Sequence, residues 1–130
     1  MSSIFSKIID GSIPCYKIAE NDSFLAFLDI QPLVEGHTLV IPKKEIDYVF
    51  DLDDELLKAM VVFSKMVAGK LQAVIPCDRI GVSVIGLEVP HAHIHLVPIN
   101  KIDDMNFSKS RLDLTNDSML KIQERIVNQA

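Results

Sequence analysis

The spacing of apolar and polar residues in the first third of the chain predicts a short helix followed by strands. Residues 3–9 carry apolar side chains at helical intervals and are followed by an Asp-Gly pair, which is typical of a turn. Residues 29–36 contain a proline, a glycine and two carboxylates and are predicted to form a loop. Apolar and β-branched runs predict strands at residues 16–20, 24–28 and 38–41.

A long amphipathic segment at residues 53–73 predicts the main helix. Acidic side chains at its start complement the positive end of the helix dipole. A helix that packs on one sheet needs an apolar stripe on one side only. Here the stripe of Leu56, Met60, Phe63 and Val67 is widened by Ala59, Val62 and Ala68. We therefore expect a homodimer in which two such helices bury the additional apolar surface.

The second half of the chain predicts two further strands and a terminal helix. The strands are expected at residues 79–85 and 89–98, joined by a tight link. Residues 100–114 are polar and irregular, and Thr115 is a candidate cap for a last helix. About five strands with short links pair antiparallel, so the expected class is α+β, as one domain over residues 1–130.

Composition excludes several classes of protein. The chain has 130 residues, 48% of them apolar, which suffice for a core. The net charge of −5 argues against a general nucleic-acid binder, which needs clustered Lys and Arg. Cys15 and Cys77 are distant from each other, which favours reduced thiols. There is no signal-peptide pattern and no membrane-length apolar run, so we expect a cytoplasmic protein without membrane association.

The most informative polar pattern is a row of three histidines within the predicted strand 89–98. Alternate residues of a strand share one face, so His91, His93 and His95 are expected to line the face opposite the core. Three chemistries fit such a row. They are zinc binding by two of the histidines, completed by the third or by His37, covalent catalysis on phosphorus, and a structural role in which the imidazoles bond backbone carbonyls.

Motifs in two segments carry a resemblance to a known family. Residues 24–44 contain an Asp-Ile-Gln-Pro loop and a Gly-His-Thr-Leu-Val-Ile-Pro strand, and residues 90–98 read Pro-His-Ala-His-Ile-His-Leu-Val-Pro. In this order and spacing, together with the similar opening at residues 4–14, they resemble the histidine-triad (HIT) family and its Hint-like branch. The resemblance covers residues 4–99 and implies a HIT-like fold, with residues 100–130 outside it.

The resemblance implies a role for each of the four histidines. His93, the middle member, would be the nucleophile that takes up a nucleoside monophosphate as a phosphohistidine. His95 would contact the phosphate and help to protonate or orient the leaving group. His91 would hold the triad in order, and His37 would support it from the neighbouring strand. Phosphoryl transfer needs this kind of positioning and donor groups around the phosphate oxygens.

The resemblance also implies a nucleotide-binding site. Asp29 would bind the two ribose hydroxyls, although an Asp before a proline loop also fits a plain turn. Phe5, Phe27 and Ile30 match positions that enclose the purine base, although their residue types fit a core position first. Ser83 stands as a weak substitute for the asparagine usual upstream of the triad.

Two departures from the family pattern bear on substrate and metal. Leu87 and Glu88 stand where the family usually has Gln and then Ser or Thr, and an ionised carboxylate repels an anion instead of donating to it. Some relatives bind zinc through a Cys-x-x-Cys pair and two histidines, whereas Ser3 and Ser6 occupy the matching positions. Hydroxyls are poor zinc ligands beside thiolates, so no structural metal or other cofactor is expected.

These observations indicate a nucleotide hydrolase or nucleotidyl transferase. It would act on the α-phosphorus of purine nucleotide conjugates of the nucleoside phosphoramidate type, through a nucleotidyl-histidine intermediate. One alternative is a non-catalytic purine-nucleotide binding or interaction protein on the same scaffold. A dinucleoside polyphosphate hydrolase and a metal-dependent enzyme also stay open.

Overall fold

The computed structural model describes residues 3–129, which form three α-helices and five strands. Two short 3-10 helices, Val49–Asp51 and Ile102–Met105, were not predicted from the sequence pattern. The elements in chain order are α1 (Ile4–Ile9), β1 (Lys17–Glu20), β2 (Phe24–Leu28), β3 (Thr38–Pro42), α2 (Asp54–Val74), β4 (Arg79–Ser83), β5 (Ile94–Ile99) and α3 (Asn116–Val127).

The five strands form one antiparallel sheet in the order β1-β2-β3-β5-β4, which confirms the predicted α+β class. The order brings β5, which carries the last histidine of the row, between β3 and β4. In the ladder Leu39 lies opposite both Phe27 of β2 and His95 of β5, and His95 lies opposite Ser83 of β4. Residues directly opposite each other point to the same face, so these four side chains form one row across the sheet.

The predicted histidine strand at residues 89–98 was too long. Strand β5 begins at Ile94, so His91 and His93 precede it in the loop that follows β4. Pro90 has no N–H to donate to a ladder, and the N–H of Ala92 donates to Ile46 O at 2.7 Å, outside the sheet. The three histidines therefore do not share one continuous strand face.

Each face of the sheet is covered by different elements. One face packs against α2 and α3 and builds the larger core, in which Phe24, Val40 and Leu96 meet Met60, Phe63 and Ile126. The other face packs against α1 and includes Leu25, Phe27, Leu39, Ile41 and Phe5. Because both faces are covered, β2 and β3 are buried along their whole lengths. The row that contains His95 lies on the α1 face.

Local sequence signals account for the ends of the helices. Ser3, Asp53 and Thr115 each accept a hydrogen bond from a backbone N–H of the first turn of α1, α2 and α3. Each such cap contributes about 1 kcal/mol to helix stability. In α2 the buried side chains recur at helical intervals and include Met60, Phe63 and Val67 of the predicted stripe. Within residues 3–129, no helix combines the length and apolar character needed to cross a membrane.

Candidate active site

A cavity of ≈ 470 Å³ opens on the α1 face of the sheet. Its walls come from α1, from the ends of β2 and β5, from the loops at residues 29–31 and 85–89, and from residues 107 and 111. Most of the predicted site residues line it: Phe5, Phe27, Asp29, Ile30, Glu88, His93 and His95. The fold therefore brings together residues that are widely separated in the sequence.

His93 is held so that one ring nitrogen is free for chemistry. Its Nδ1 lies 2.7 Å from His91 O. A carbonyl oxygen only accepts hydrogen bonds, so Nδ1 carries a proton, and in the neutral form of the ring Nε2 carries the lone pair. Among the described residues, Nε2 has no hydrogen-bond partner. Every buried side-chain nitrogen or oxygen in that part of the chain does have a partner, so Nε2 is not buried and is reached from the cavity. The edge of Phe5, with ring centroids 5.1 Å apart, further fixes the imidazole plane.

His95 and His37 form a hydrogen-bonded relay that starts from the backbone. The N–H of Leu33 donates to His37 Nδ1 at 3.0 Å, so the proton of His37 is on Nε2. That N–H faces His95 Nδ1 at 3.0 Å and donates to it. His95 consequently keeps its own proton on Nε2. The relay assigns a tautomer to each ring and makes His95 a hydrogen-bond donor toward a ligand in the cavity.

Burial keeps this histidine pair neutral. Removal from solvent, reinforced by the neighbouring His95, lowers the pKa of His37 to about 3. Removal from solvent, reinforced by the neighbouring His93, lowers the pKa of His95 to about 4. Both rings are therefore uncharged near neutral pH. In that state His95 donates through its N–H but holds no extra proton to give away.

Gly36 allows His37 to reach its buried position. Its φ of +92° is a conformation that residues with a side chain rarely adopt. An added Cβ would lie 3.0 Å from Ile75 Cγ1 and 3.2 Å from Pro98 Cγ. The turn at Gly36 therefore demands glycine on two grounds, and His37, fully buried, follows directly at the start of β3.

His91 is a structural member of the site. Its Nε2 lies 2.8 Å from Pro42 O and carries the proton, so Nδ1 accepts from the Ser3 hydroxyl at 2.8 Å. The ring is fully buried and does not line the cavity. The two hydrogen bonds to the His91 ring hold the backbone of His91 in place. The carbonyl of His91 in turn accepts the hydrogen bond that orients the His93 ring.

Glu45 is a residue that the sequence did not single out. Its Oε1 accepts from the N–H of Ser3 and from the hydroxyl of Ser6, each at 2.6 Å. These bonds, that from Ser3 being the stronger influence, lower the pKa of Glu45 to about 2. Glu45 thereby holds the start of α1, including Ser3, the residue whose hydroxyl donates to His91. A serine pair and a distant glutamate leave no recognisable signal in one sequence.

Asp29 lies at the end of β2, where the chain leaves the sheet beside the cavity. Its Oδ1 accepts from the N–H of Gln31 at 2.8 Å, and its Oδ2 is 3.7 Å from His37 Nε2. Burial raises the pKa of this carboxyl, while the N–H of Gln31 and the charge of Arg111 act in the opposite direction. The turn role and the site role predicted for Asp29 are compatible, because one oxygen serves the turn.

Ser83 and Glu88 occupy different positions relative to the cavity. Ser83 is opposite His95 in the sheet but is not among the residues that line the cavity. Glu88 lines the cavity from the exposed loop after β4, near enough for its charge to raise the pKa of Asp29. Glu88, which departs from the family pattern, is therefore part of the cavity wall.

Phe107 and Arg111 line the cavity from the segment that the resemblance did not include. The ring centroid of Phe107 is 4.8 Å from that of His95, and the Arg111 guanidinium carbon lies 5.4 Å from the centroid of Phe107. They follow His95 by 12 and 16 residues in a polar, irregular stretch. No periodicity links them to the histidine row, so only the tertiary structure reveals them.

One group of side chains in the described part of the chain has metal-binding composition. Oxygen or nitrogen atoms of Asp29, His37 and His95 lie within 4.8 Å of one another. A metal ion here would replace the hydrogen bond between the two imidazoles, which already satisfies one nitrogen on each ring. Ser3 and Ser6, the positions of the cysteine pair in zinc-binding relatives, are instead bonded to Glu45. A metal ion at either place would have to displace hydrogen bonds that are already made.

The buried histidines predict that stability falls on mild acidification. The pKa values of His37, His91 and His95 are all below their ordinary value of 6.5 in the folded chain, chiefly because of burial. Between that value and the folded values the unfolded chain binds more protons, so stability is full above about pH 6.5 and declines below it. The slope approaches about 1.4 kcal/mol per pH unit for each such histidine.

Urea unfolding at pH 7.5, 6 and 5 measures this effect before most carboxylates titrate. The midpoint should drop at each step, and the His37→Gln variant should show a shallower decline than the wild-type chain. A midpoint that stays constant down to pH 5 would contradict the neutral, buried state of these rings.

Known proteins of one family resemble this chain in sequence and fold. The HIT domain model matches residues 10–102. An uncharacterized HIT-like protein of Borreliella burgdorferi is 34% identical over 131 residues, or 95% of this chain and 94% of that protein. A Schizosaccharomyces pombe protein named adenosine 5′-monophosphoramidase is 39% identical over 102 residues, or 75% and 74%. The crystal structure of a Hit-like protein from Bartonella henselae superposes with a TM-score of 0.86 and 27% identity, covering 99% and 96%.

Proposed function

This chain belongs to the HIT family, and we propose that it is a nucleotide hydrolase or nucleotidyl transferase that acts on purine nucleoside phosphoramidates and related conjugates. The observation that carries the proposal is the state of His93. Its Nδ1 is bound to a carbonyl, and its Nε2 lone pair is reached from a cavity large enough for a nucleotide. A relative named as an AMP phosphoramidase supports the same class of reaction.

In the first step the His93 Nε2 lone pair attacks the α-phosphorus. A bond forms between nitrogen and phosphorus, and the bond from phosphorus to the leaving amine breaks with its electron pair going to the amine nitrogen. The positive charge that develops on the ring is stabilised by the Nδ1–H bond to His91 O. His95 donates through Nε2–H to a phosphoryl oxygen or to the departing atom.

In the second step a water oxygen bonds to phosphorus and the bond to His93 breaks. His93 regains its lone pair, and the nucleoside monophosphate leaves. The departing amine takes up one proton from solvent in the first step, and the attacking water releases one to solvent in the second. The net reaction therefore consumes one water and leaves every residue of the site unchanged.

The apolar end of the cavity suits a purine and the carboxylate end suits a ribose. Phe5, Phe27, Ile30 and Leu39 line the apolar part. Phe5 and Phe27 meet edge to face, with centroids 5.6 Å apart, and leave a rigid wall for a flat base. Asp29 keeps one oxygen free of the turn and accepts hydrogen bonds from the ribose hydroxyls.

Turnover of an AMP phosphoramidate with an aminoacyl-type amine tests the proposal directly. Release of AMP should be seen by chromatography, and intact-mass analysis after rapid alkaline quenching should detect a nucleotidyl adduct on the chain. Binding of AMP without turnover would indicate the second candidate, a non-catalytic nucleotide-binding protein. The specific observation that favours that candidate is the carboxylate of Glu88 in the cavity wall.

The Glu88→Ser substitution is expected to tighten AMP binding severalfold at neutral pH. It removes a negative charge from the cavity wall and supplies a hydroxyl that can donate to the phosphate. Calorimetric titration of AMP compares the two proteins, with Glu55→Ser on the exposed start of α2 as a control for the change in net charge. Unchanged or weaker affinity in Glu88→Ser would show that Glu88 does not oppose the phosphate.

We also expect the chain to be a homodimer, because it exposes apolar side chains on α2 and β4 that a stable monomer usually buries. Val61 and Val62 of α2 are 55% and 67% exposed, and Val82 of the edge strand β4 is 63% exposed. Within residues 3–129, β4 pairs only with β5, which leaves one edge of the sheet open. A two-fold contact through α2 would cover the valines and extend the sheet into the second copy.

The Val62→Glu substitution tests this contact. Sedimentation at micromolar concentration should give twice the 14.5 kDa chain mass for the wild type and a shift toward the monomer, or precipitation, for the variant. The matched control is Val127→Glu, at a valine on α3 that is 44% exposed. A wild-type chain that sediments as a monomer would overturn the expectation.

A further inference from the structure

The segment at residues 106–112 covers one side of the nucleotide cavity although it lies beyond the region matched by the family model. It is anchored by the N–H of Leu112, which donates to Pro32 O at 2.8 Å. From this anchor Phe107 contacts His95, and Arg111 lies over Phe107. Residues outside the matched domain therefore take part in the wall of the cavity.

Arg111 changes the charge of that site. It is the only permanently cationic side chain among the described residues that line the cavity, where the carboxylates are Asp29 and Glu88. Its Nη1 donates to Gln31 O at 2.7 Å and lies 3.6 Å from Asp29 Oδ2, which is longer than a normal hydrogen bond. A guanidinium carries five N–H donors, so these contacts leave donors for a ligand.

The binding of an unmodified, neutral ribose does not require this guanidinium, because Asp29 is sufficient for it. A carboxylate alone accepts hydrogen bonds from two hydroxyls, and a cation beside it competes for the same oxygens. Arginine is instead suited to phosphate, which it binds with two parallel hydrogen bonds. In dinucleotide-binding folds, an acidic residue binds a free ribose hydroxyl and an arginine accommodates a phosphate on that hydroxyl.

We propose that Arg111 forms a second anion subsite beside Asp29, and that the preferred substrates carry an additional phosphate on the 2′ or 3′ oxygen of the ribose. The inference rests on the proposed function, because that function assigns the ribose to Asp29. The contact of Arg111 with Phe107 and Gln31 holds the guanidinium at the ribose end of the cavity, and only Nη1 is engaged by Gln31. A ribose phosphate would pair with the remaining N–H groups while Asp29 binds the unmodified hydroxyl.

Calorimetric titration with four nucleotides tests the subsite. The probes are AMP, ADP, adenosine 2′,5′-bisphosphate and adenosine 3′,5′-bisphosphate, each titrated into the wild-type chain, Arg111→Gln and Lys109→Gln. Lys109 is the matched control, since it lies in the same segment, pairs with Asp103 at 3.2 Å and does not line the cavity. Its loss changes the net charge by the same amount without touching the subsite.

One bisphosphate should bind the wild-type chain about tenfold more tightly than AMP, which corresponds to one well-placed charged contact. Arg111→Gln should abolish that ratio, so that the bisphosphates bind no more tightly than AMP binds the same variant, whereas Lys109→Gln should retain both the ratio and the AMP affinity. Equal binding of AMP and both bisphosphates overturns the subsite but leaves the proposed function intact. A gain for ADP alone also overturns it, because Arg111 would then serve the leaving-group side. No binding of any of the four nucleotides contradicts both proposals.

Discussion

Replacing His93 with alanine is expected to lower kcat toward an AMP phosphoramidate by about 10³-fold or more. The other nucleophilic side chain of the cavity wall is the Cys15 thiol, and burial raises its pKa, which disfavours the reactive thiolate. Among the described residues of the cavity, His93 alone combines a protonated Nδ1 fixed on a carbonyl with an accessible Nε2. His95 lines the same cavity, but its Nδ1 accepts from His37, which leaves only a protonated nitrogen facing the ligand.

Two measurements separate loss of the nucleophile from loss of the fold. AMP affinity should stay within a fewfold of the wild-type value, because the base and ribose contacts do not involve His93. The nucleotidyl adduct seen by mass analysis in the wild-type chain should be absent from the variant. More than about a tenth of wild-type turnover in His93→Ala would contradict the covalent mechanism.

Two alternative substitutions at His37, to Asn and to Gln, are expected to give different activities. The difference would show that the hydrogen bond from His37 to His95 supports the reaction, and not only the presence of a buried polar side chain. The amide of Asn resembles the Nδ1 position of histidine, and the longer amide of Gln resembles the Nε2 position. Asn can therefore keep the bond from Leu33 N–H and lose the bond to His95, whereas Gln can keep the donor to His95 Nδ1. We expect His37→Asn to lower kcat by about ten- to a hundredfold and His37→Gln to lower it clearly less.

Both variants should be less stable than the wild-type chain, since each leaves one buried hydrogen-bonding group unpaired at a cost of about 1–3 kcal/mol. The two effects are thus distinguishable: stability should fall in both, and kcat should fall mainly in one. The pH profile of kcat supplies a further readout, because release of His95 from its fixed tautomer alters its titration. Equal kcat values in the two variants, or a more active Asn variant, would show that His37 acts only through packing.

The course of α2 and the cap of α3 were readable from the sequence because they depend on neighbours a few residues away. The stripe of Met60, Phe63 and Val67 recurs at helical spacing, and these side chains are buried in the core. Thr115 caps α3 as its position before an apolar run indicated. The histidine motif was likewise visible, because a run of alternating imidazoles has few purely structural uses.

The length of the histidine strand was misjudged for a physical reason. Alternation of side chains describes an extended chain, but it does not require that the chain pair with a neighbour. Ile46, which is 46 residues before Ala92 in the sequence, takes the hydrogen bond that a strand partner would have taken. Such a contact depends on how distant segments close together, and local periodicity contains no information about it.

The sequence by itself determined the fold class, the order of the elements and the residue types that carry the chemistry. The tertiary structure decided which nitrogen of two of the histidines is free, because their tautomers follow from distant partners: Pro42 and Ser3 for His91, and His37 for His95. It also decided that Phe107 and Arg111 join the cavity. Helix and strand periodicity arises within a few residues, whereas burial and the long-range hydrogen bonds of His91 and His95 arise only when segments far apart in the chain meet.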